Sequence, residues 1–216
     1  MKVQNLTTQV LSYIRNRIIT GDLAPGKKLN ENELASHLEI SRHPIREAFR
    51  VLESEHLVYS IPNKGAFVTE LSHDDLLEVC QAREMIECHA VELLKKQKIR
   101  AFPQLEAAIE DATNLSAPVS DDPEQYLKFH KAFTTFHSKL IQASGNSRLV
   151  NFNRAIALNL ARYQFKSLQI PGSLVIDSQE HWQILKALQQ AHYEKAKKIL
   201  RHHITKRLQG ASKIDL

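Results

Sequence analysis

The chain has 216 residues, enough for one large domain or two small ones. At 43% hydrophobic and 25% charged, it can bury a core and does not have the composition of a disordered segment. The net charge of +5 does not locate a nucleic-acid site: residues 1–70 hold nine Lys/Arg against eight Asp/Glu, and the excess lies in HYEKAKKILRHHITKR near the C-terminus. Any such site must rest on particular side chains.

Other classes are excluded by absence of their signals. No run of ~20 apolar residues suits a membrane span, and the charged N-terminus has no signal-peptide apolar region. Cys80 and Cys88 fall on one predicted helix with no CxxC pair, so a disulfide framework is not expected. A reducing, cytoplasmic setting follows as the expectation, with both thiols packed as small apolar groups.

Leu6, Val10, Leu11, Ile14, Ile18 and Ile19 predict a first helix over 6–20. Gly21 and Pro25 end it, and GDLAPGKKL reads as a turn. In NENELASHLEI, Asn30 is a good N-cap with Glu33 at capping-box spacing, predicting a short second helix that ends near Glu39. Ser41 is placed to cap a third helix running to about His56, with Ile45, Ala48, Phe49 and Leu52 inward. Two helices across a short turn form a helix-turn-helix. LVYSI and AFVTE around PNKG then predict a hairpin. Residues 1–72 therefore read as a winged helix-turn-helix.

From Leu71 onward there is no strand signal. Helices are predicted at about 74–97, 101–115, 122–143, 146–166, 177–190 and 192–209. Asp122 precedes Pro123 as cap and first-turn proline. Gly145-Asn146 marks a break, PGS at 171–173 a loop, and SAPVSDDP a flexible insertion. The fold class is mainly α: the winged unit followed by an antiparallel six-helix bundle over 73–216.

Arg42, Arg46 and Arg50 recur at i, i+4 and i+8, drifting ~40° per step, so they form one slanting stripe opposite the apolar side of the third helix. Arg suits bidentate contact with guanine O6/N7 and with phosphates. Ser41 and His43 flank the first arginine, and a helix N-terminus adds N–H donors for phosphate. Lys64-Gly65 at the hairpin tip fits a wing approaching the DNA backbone, Gly permitting close approach. The competing reading is a solvated face paired with Glu47 and Glu53.

In the second part, His137, His181 and His203 lie on three predicted helices. Three imidazoles converging in a bundle core can hold Zn, Ni, Cu or Fe. The alternative is ordinary surface or core histidines. Trp182 reads as a core residue.

The run GDLAPGKKLNENELASHLEISRHPIREAFRVLESEHLV, followed by PNKGAFV, resembles the GntR family of bacterial transcription regulators. By that resemblance Arg42, Arg46 and Arg50 correspond to the family's DNA-contacting arginines, and Gly65 to its wing glycine. His56 departs from the pattern, standing where the family usually has Gly. REMIE, FHSKLIQASGN, EHWQILKAL and the late HHI resemble the FadR-type C-terminal ligand domain in its six-helix, VanR-like form.

Many such domains hold a metal through an Asp and three His. His137, His181 and His203 match the three His, and Phe133 stands where the Asp would be. A three-His site can still hold Zn or Ni, with water or a carboxylate completing it. His130 lies two turns from His137, ~10 Å along the axis, too far to replace the Asp. Arg83 resembles a pocket-facing arginine able to anchor an effector carboxylate; the alternative is a surface i, i+4 pair with Glu87.

The implied function is a homodimeric transcription regulator, a repressor by the family's habit. It would bind a palindromic operator in double-stranded DNA and respond to a small-molecule effector. A constitutive DNA-binding dimer and a three-His metal hydrolase are the alternatives. The hydrolase leaves residues 6–70 unexplained, and no general base stands beside the three His. An enzyme is therefore not expected.

Overall fold

A computed structural model describes residues 2–115, 122–170 and 172–211. The chain divides into two compact units, Met1–Leu71 and Ser72–Leu216. The expected insertion at SAPVSDDP lies outside the described residues except for Asp122 and Pro123, as does Pro171 of the PGS loop.

The first unit contains α1 (Lys2–Thr20), β1 (Lys28–Leu29), α2 (Glu31–His37), α3 (Arg42–Ser54), β2 (Val58–Ile61) and β3 (Gly65–Val68). α1 packs on α3. Their inward residues, including Ile14 and Ile18 of α1 and Ile45, Ala48 and Leu52 of α3, are sealed from solvent. Each large aliphatic side chain so buried stabilises the unit by about 1.5–3 kcal/mol. Leu57, Val58 and Val68 extend this core under the wing.

Two expectations need correction here. GDLAPGKKL is not only a turn: Lys28 and Leu29 pair antiparallel with Phe67 and Ala66, so the sheet order is β1-β3-β2. A two-residue strand is too short to display a period-two pattern. Ser41 sits at the N-cap of α3 in extended conformation, but its hydroxyl makes no capping hydrogen bond, so only its backbone starts the helix. Asn30 does cap α2, accepting from the amides of Asn32 and Glu33. Its Nδ2 also donates to Glu33 Oε1 at 3.0 Å, closing a variant of the capping box.

Four of the described helix ends are made without glycine. His56, with φ +58°, follows α3. Its N–H donates to Glu53 O and that of Leu57 to Leu52 O, both at 3.0 Å. This is the Schellman pattern, with the buried pair Leu52 and Leu57 as its hydrophobic contact. The same two bonds close α2 at Glu39, α4 at Lys98 and α8 at Ala191. The departure at His56 is therefore absorbed locally: the histidine takes the left-handed conformation itself, at an energetic cost a glycine would avoid.

The second unit contains α4 (His73–Gln97), α5 (Pro103–Thr113), α6 (Pro123–Ala143), α7 (Ser147–Leu168), α8 (Ser173–Gln189) and α9 (Tyr193–Ala211). Ser72, Asp122 and Asn146 cap α4, α6 and α7 through their side chains. α8 begins at Ser173 rather than near 177, because Gly172 at φ +82° turns the chain directly into the helix. α4 packs against α6, α7 and α9, α5 against α6 and α8, and α8 against α9. The result is the six-helix bundle. Trp182 is not in the core: it is 37% exposed, because its neighbours His181, Ile184 and Leu185 take the inward face of α8. Cys80 and Cys88 are buried and in no disulfide, and burial pushes the Cys88 thiol up to about 11, so it stays protonated and inert at neutral pH. Among the described residues no helix is long and apolar enough to cross a membrane.

His56→Gly is expected to relieve the left-handed strain and stabilise the first unit by about 0.5–1 kcal/mol, after the entropy glycine loses on folding is counted. Amide hydrogen exchange in α3 and β2 of the full chain should slow by a factor of about 2–5.

Candidate nucleic-acid interface and buried histidine cluster

In the first unit, the apolar side of α3 turns inward and leaves Ser41, Arg42, His43, Arg46 and Arg50 exposed. Four residues, Leu38–Ser41, separate α2 from α3. The three arginines are not free in solution. Arg46 Nε donates to Glu31 Oε2 at 2.7 Å, Arg50 Nη1 to Glu47 Oε1 at 2.8 Å, and Arg42 Nη1 to Asn32 Oδ1 at 3.4 Å. Glu47 thus takes the expected role of partner. Glu53 does not, since it accepts from the backbone amide of Ser60 at 3.1 Å. Exposed pairs of this kind contribute little, about 0–1 kcal/mol each, so they leave the arginines able to meet a phosphate or base edge.

At the wing, Lys64 N–H donates to Ile61 O at 3.0 Å. Pro62 comes second in that turn and Asn63, φ +62°, third, the type II arrangement. Lys64 and Gly65 are exposed at the tip. Gly65 has φ +101°, and a Cβ there would lie 3.4 Å from Lys28 Cε. The Lys28 side chain, on a strand the sequence did not reveal, therefore lies beside the wing tip and adds a second cation there.

In the second unit, α6, α8 and α9 bring His137, His181 and His203 together. One nitrogen from each lies within 4.8 Å of the others, and all three residues are buried. His137 Nε2 and His181 Nε2 are 2.9 Å apart. Two carboxylates orient the outer rings: Glu87 Oε2 meets His137 Nδ1 at 2.8 Å, and Glu180 Oε2 meets His203 Nδ1 at 2.7 Å. With Nδ1 so engaged, Nε2 is the atom that His137 and His203 can offer to an ion. Tetrahedral zinc, with Zn–N of about 2.0–2.1 Å, needs nitrogens about 3.3 Å apart. The observed spacings bracket that value, and carboxylate-backed imidazoles are the usual support of metal ligands. The donor set fits a divalent ion such as Zn or Ni.

Phe133, where the resemblance implied an Asp, lies beside the cluster. Its ring lies 5.0 Å from that of His181, and it packs in a cluster with Ala112, Phe129 and Leu168. Phe136 stands 4.5 Å from His181, so apolar rings flank this ligand. His130 is turned elsewhere, to Gln164 Oε1 at 3.2 Å. Burial alone would raise the Glu180 carboxyl, but the hydrogen bond and charge of His203, with Lys206, hold it below the usual carboxylate range.

Arg83 does pair with Glu87, at 2.5 Å from Nε to Oε1, yet the pair is 2% and 0% exposed. The surface-pair reading is corrected: one turn of helix places both side chains on the inward face of α4. Arg83 Nη1 and Nη2 have no hydrogen-bond partner among the described residues. Arg83 lines a small cleft of about 20 Å³ with Thr134, His137, Ser138, Asn153 and Gln164. That is room for about one water molecule. Nothing in the sequence spacing pointed to Glu87 or Glu180 as supports for the histidines, since both depend on which helices meet.

Removing Glu87 should be costly, because the Arg83 cation would remain buried without its carboxylate. Glu87→Ala is expected to lower the stability of the helical unit by about 3–5 kcal/mol. The double variant Arg83→Met/Glu87→Leu should lose much less. Urea unfolding of the full chain followed by circular dichroism checks both.

Comparison with known proteins supplies the context. The sequence profile of bacterial regulatory proteins of the gntR family matches residues 6–68, and that of the FCD domain matches residues 78–206. The HTH-type transcriptional repressor GlaR of Escherichia coli is 26% identical over 199 residues, covering 89% of each chain. The gluconate operon transcriptional repressor of Bacillus subtilis is 29% identical over 139 residues, 64% of this chain and 55% of that one. The crystal structure of a GntR transcriptional regulator from Rhodococcus sp. RHA1 superposes with a TM-score of 0.79 over 97% of this chain and 99% of the other, at 23% identity, a likeness of fold. The FCD profile alone spans more than half of the 216 residues, and the chain belongs to the gntR family of bacterial regulatory proteins: it is a DNA-binding transcription regulator with an FCD domain, not an enzyme.

Proposed function

We propose that the protein is a cytoplasmic, homodimeric repressor released from or loaded onto its operator by a small carboxylate. In this reading α3 enters the major groove. Arg42, Arg46 and Arg50, with Ser41 and His43, contact bases and phosphates, and Lys64 and Gly65 bring the wing to the backbone. Two copies match the two halves of a palindrome.

The observation that carries the effector half is Arg83. A buried guanidinium whose outer two nitrogens lack partners, at the wall of a cleft, is suited to a bidentate carboxylate. His137 lines the same cleft. A divalent ion held by His137, His181 and His203 would supply a Lewis-acidic centre that an effector oxygen can complete. Thr134, Ser138, Asn153 and Gln164 add hydrogen-bonding groups suited to hydroxyls, which favours hydroxy acids and sugar acids. The gluconate operon named for one relative makes gluconate a sensible first member of the panel. Effector binding then shifts the population of operator-competent dimers.

The test has two parts. Elemental mass spectrometry on untagged protein is expected to find near-stoichiometric Zn or Ni, lost in His181→Ala. Thermal unfolding against a panel of small hydroxy acids is expected to reveal one that stabilises the wild type, by about 2.7 kcal/mol at a hundredfold excess over Kd, and not Arg83→Met. Absence of metal removes the ion from this reading. Stabilisation unchanged in Arg83→Met removes the arginine anchor.

A further inference from the structure

The three arginines of α3 are held in different ways, and the difference bears on which of them reads sequence. Arg50 is bound through Nη1 to Glu47 on its own helix and is 75% exposed. Arg42 is bound through Nη1 by a long contact to a neutral amide, that of Asn32. Each of these has one nitrogen of its outer edge engaged. Arg46 alone is held by Nε, and its partner Glu31 comes from α2. Among the described residues no protein group bonds its Nη1 or Nη2.

This matters because guanidinium geometry separates the two edges. The Nη1/Nη2 edge is the pair of donors that fits guanine O6 and N7. A carboxylate on Nε fixes the plane of the fork while leaving that edge open. The contact is charge-assisted and short, 2.7 Å, within the range for strong pairs. Glu31 is also the first residue of α2, where the helix dipole favours a negative charge, and the Asn30 cap holds that turn in place. The position of the carboxylate is thus set by backbone structure rather than by a flexible loop.

We infer that Glu31 is the positioning residue that makes Arg46 a guanine reader, while Arg42 and Arg50 act mainly on phosphates. Glu31 itself touches no DNA in this scheme. It restricts the rotamers of Arg46 before binding and repels phosphates from its immediate surroundings, so it favours the aligned base over generic backbone contact. This inference rests on the proposed reading of α3 as the recognition helix.

Binding-site selection from a random duplex library, with full-length wild type, Glu31→Ala, Glu31→Gln and Arg46→Ala, tests it. The wild type is expected to select a guanine at one position of each half-site that Arg46→Ala no longer requires. Glu31→Ala should reduce the preference for guanine over adenine at that same position by about tenfold. Affinity for mixed-sequence DNA should hold or rise, because a negative charge is gone. Glu31→Gln, whose amide oxygen can still accept from Nε, should recover part of the preference. A merely structural role would weaken all positions together and lower thermal stability. Full guanine preference in Glu31→Ala, or a uniform loss across positions, overturns the inference and leaves the recognition helix standing. An Arg46→Ala protein that selects the wild-type site unchanged overturns both.

Discussion

Glu87 is fully buried, and its two oxygens serve different partners: Oε1 binds Arg83 Nε, and Oε2 binds His137 Nδ1. A carboxylate cannot be left in a protein interior without such partners, and here the partners are functional candidates in their own right. The bond to Arg83 neutralises the cation and engages its Nε, leaving the outer two nitrogens without a partner among the described residues. The bond to His137 fixes the ring so that Nε2 meets His181. From there the imidazoles continue to His203, whose far side is held by Glu180. One shared carboxylate therefore ties α4 to α6 and sets the starting geometry for both the arginine and the histidine cluster. Anything that draws Arg83 toward an anion in the cleft acts on the group that orients His137. Arg83 and His137 are in that sense one site.

The winged unit works by an opposite logic. Its arginines are exposed, and the partners of Arg42 and Arg50 are weak surface contacts, so little is lost when DNA takes over those contacts. Specificity in such an arrangement comes from how each fork is held beforehand. The buried unit relies on desolvated charges whose removal is expensive. The exposed one relies on charges that can exchange partners readily. That contrast suits a regulator in which one unit binds a small molecule and the other must be able to let go of DNA.

Much of this was legible in the residues. The period of Ile45, Ala48, Phe49 and Leu52 placed the arginines on the opposite face of a helix, because helical geometry relates the two faces directly. Caps at Asn30, Asp122 and Asn146 mark helix starts by short-range chemistry, and each forms the side-chain bonds its residue type favours. The six helices of the second unit follow from local pattern. Less visible were the features that local pattern does not encode. Four helices end on left-handed residues that are not glycine: where they end was legible, but not the backbone conformation that ends them. β1 is a strand only because β3 offers it two partners.

By itself, the sequence determined the helical character of the chain, the winged arrangement of its first 70 residues and the identity of the histidines worth watching, since each depends on neighbours within one or two turns. Tertiary structure alone decided that His137, His181 and His203 converge with one nitrogen of each within 4.8 Å of the others, that Glu87 and Glu180 stand behind them, that Arg83 is buried rather than solvated, and that Glu31 grips Arg46. These pairs come from different helices or from opposite readings of one helix face. Which face turns inward is settled only when all six helices compete to bury their apolar surfaces together.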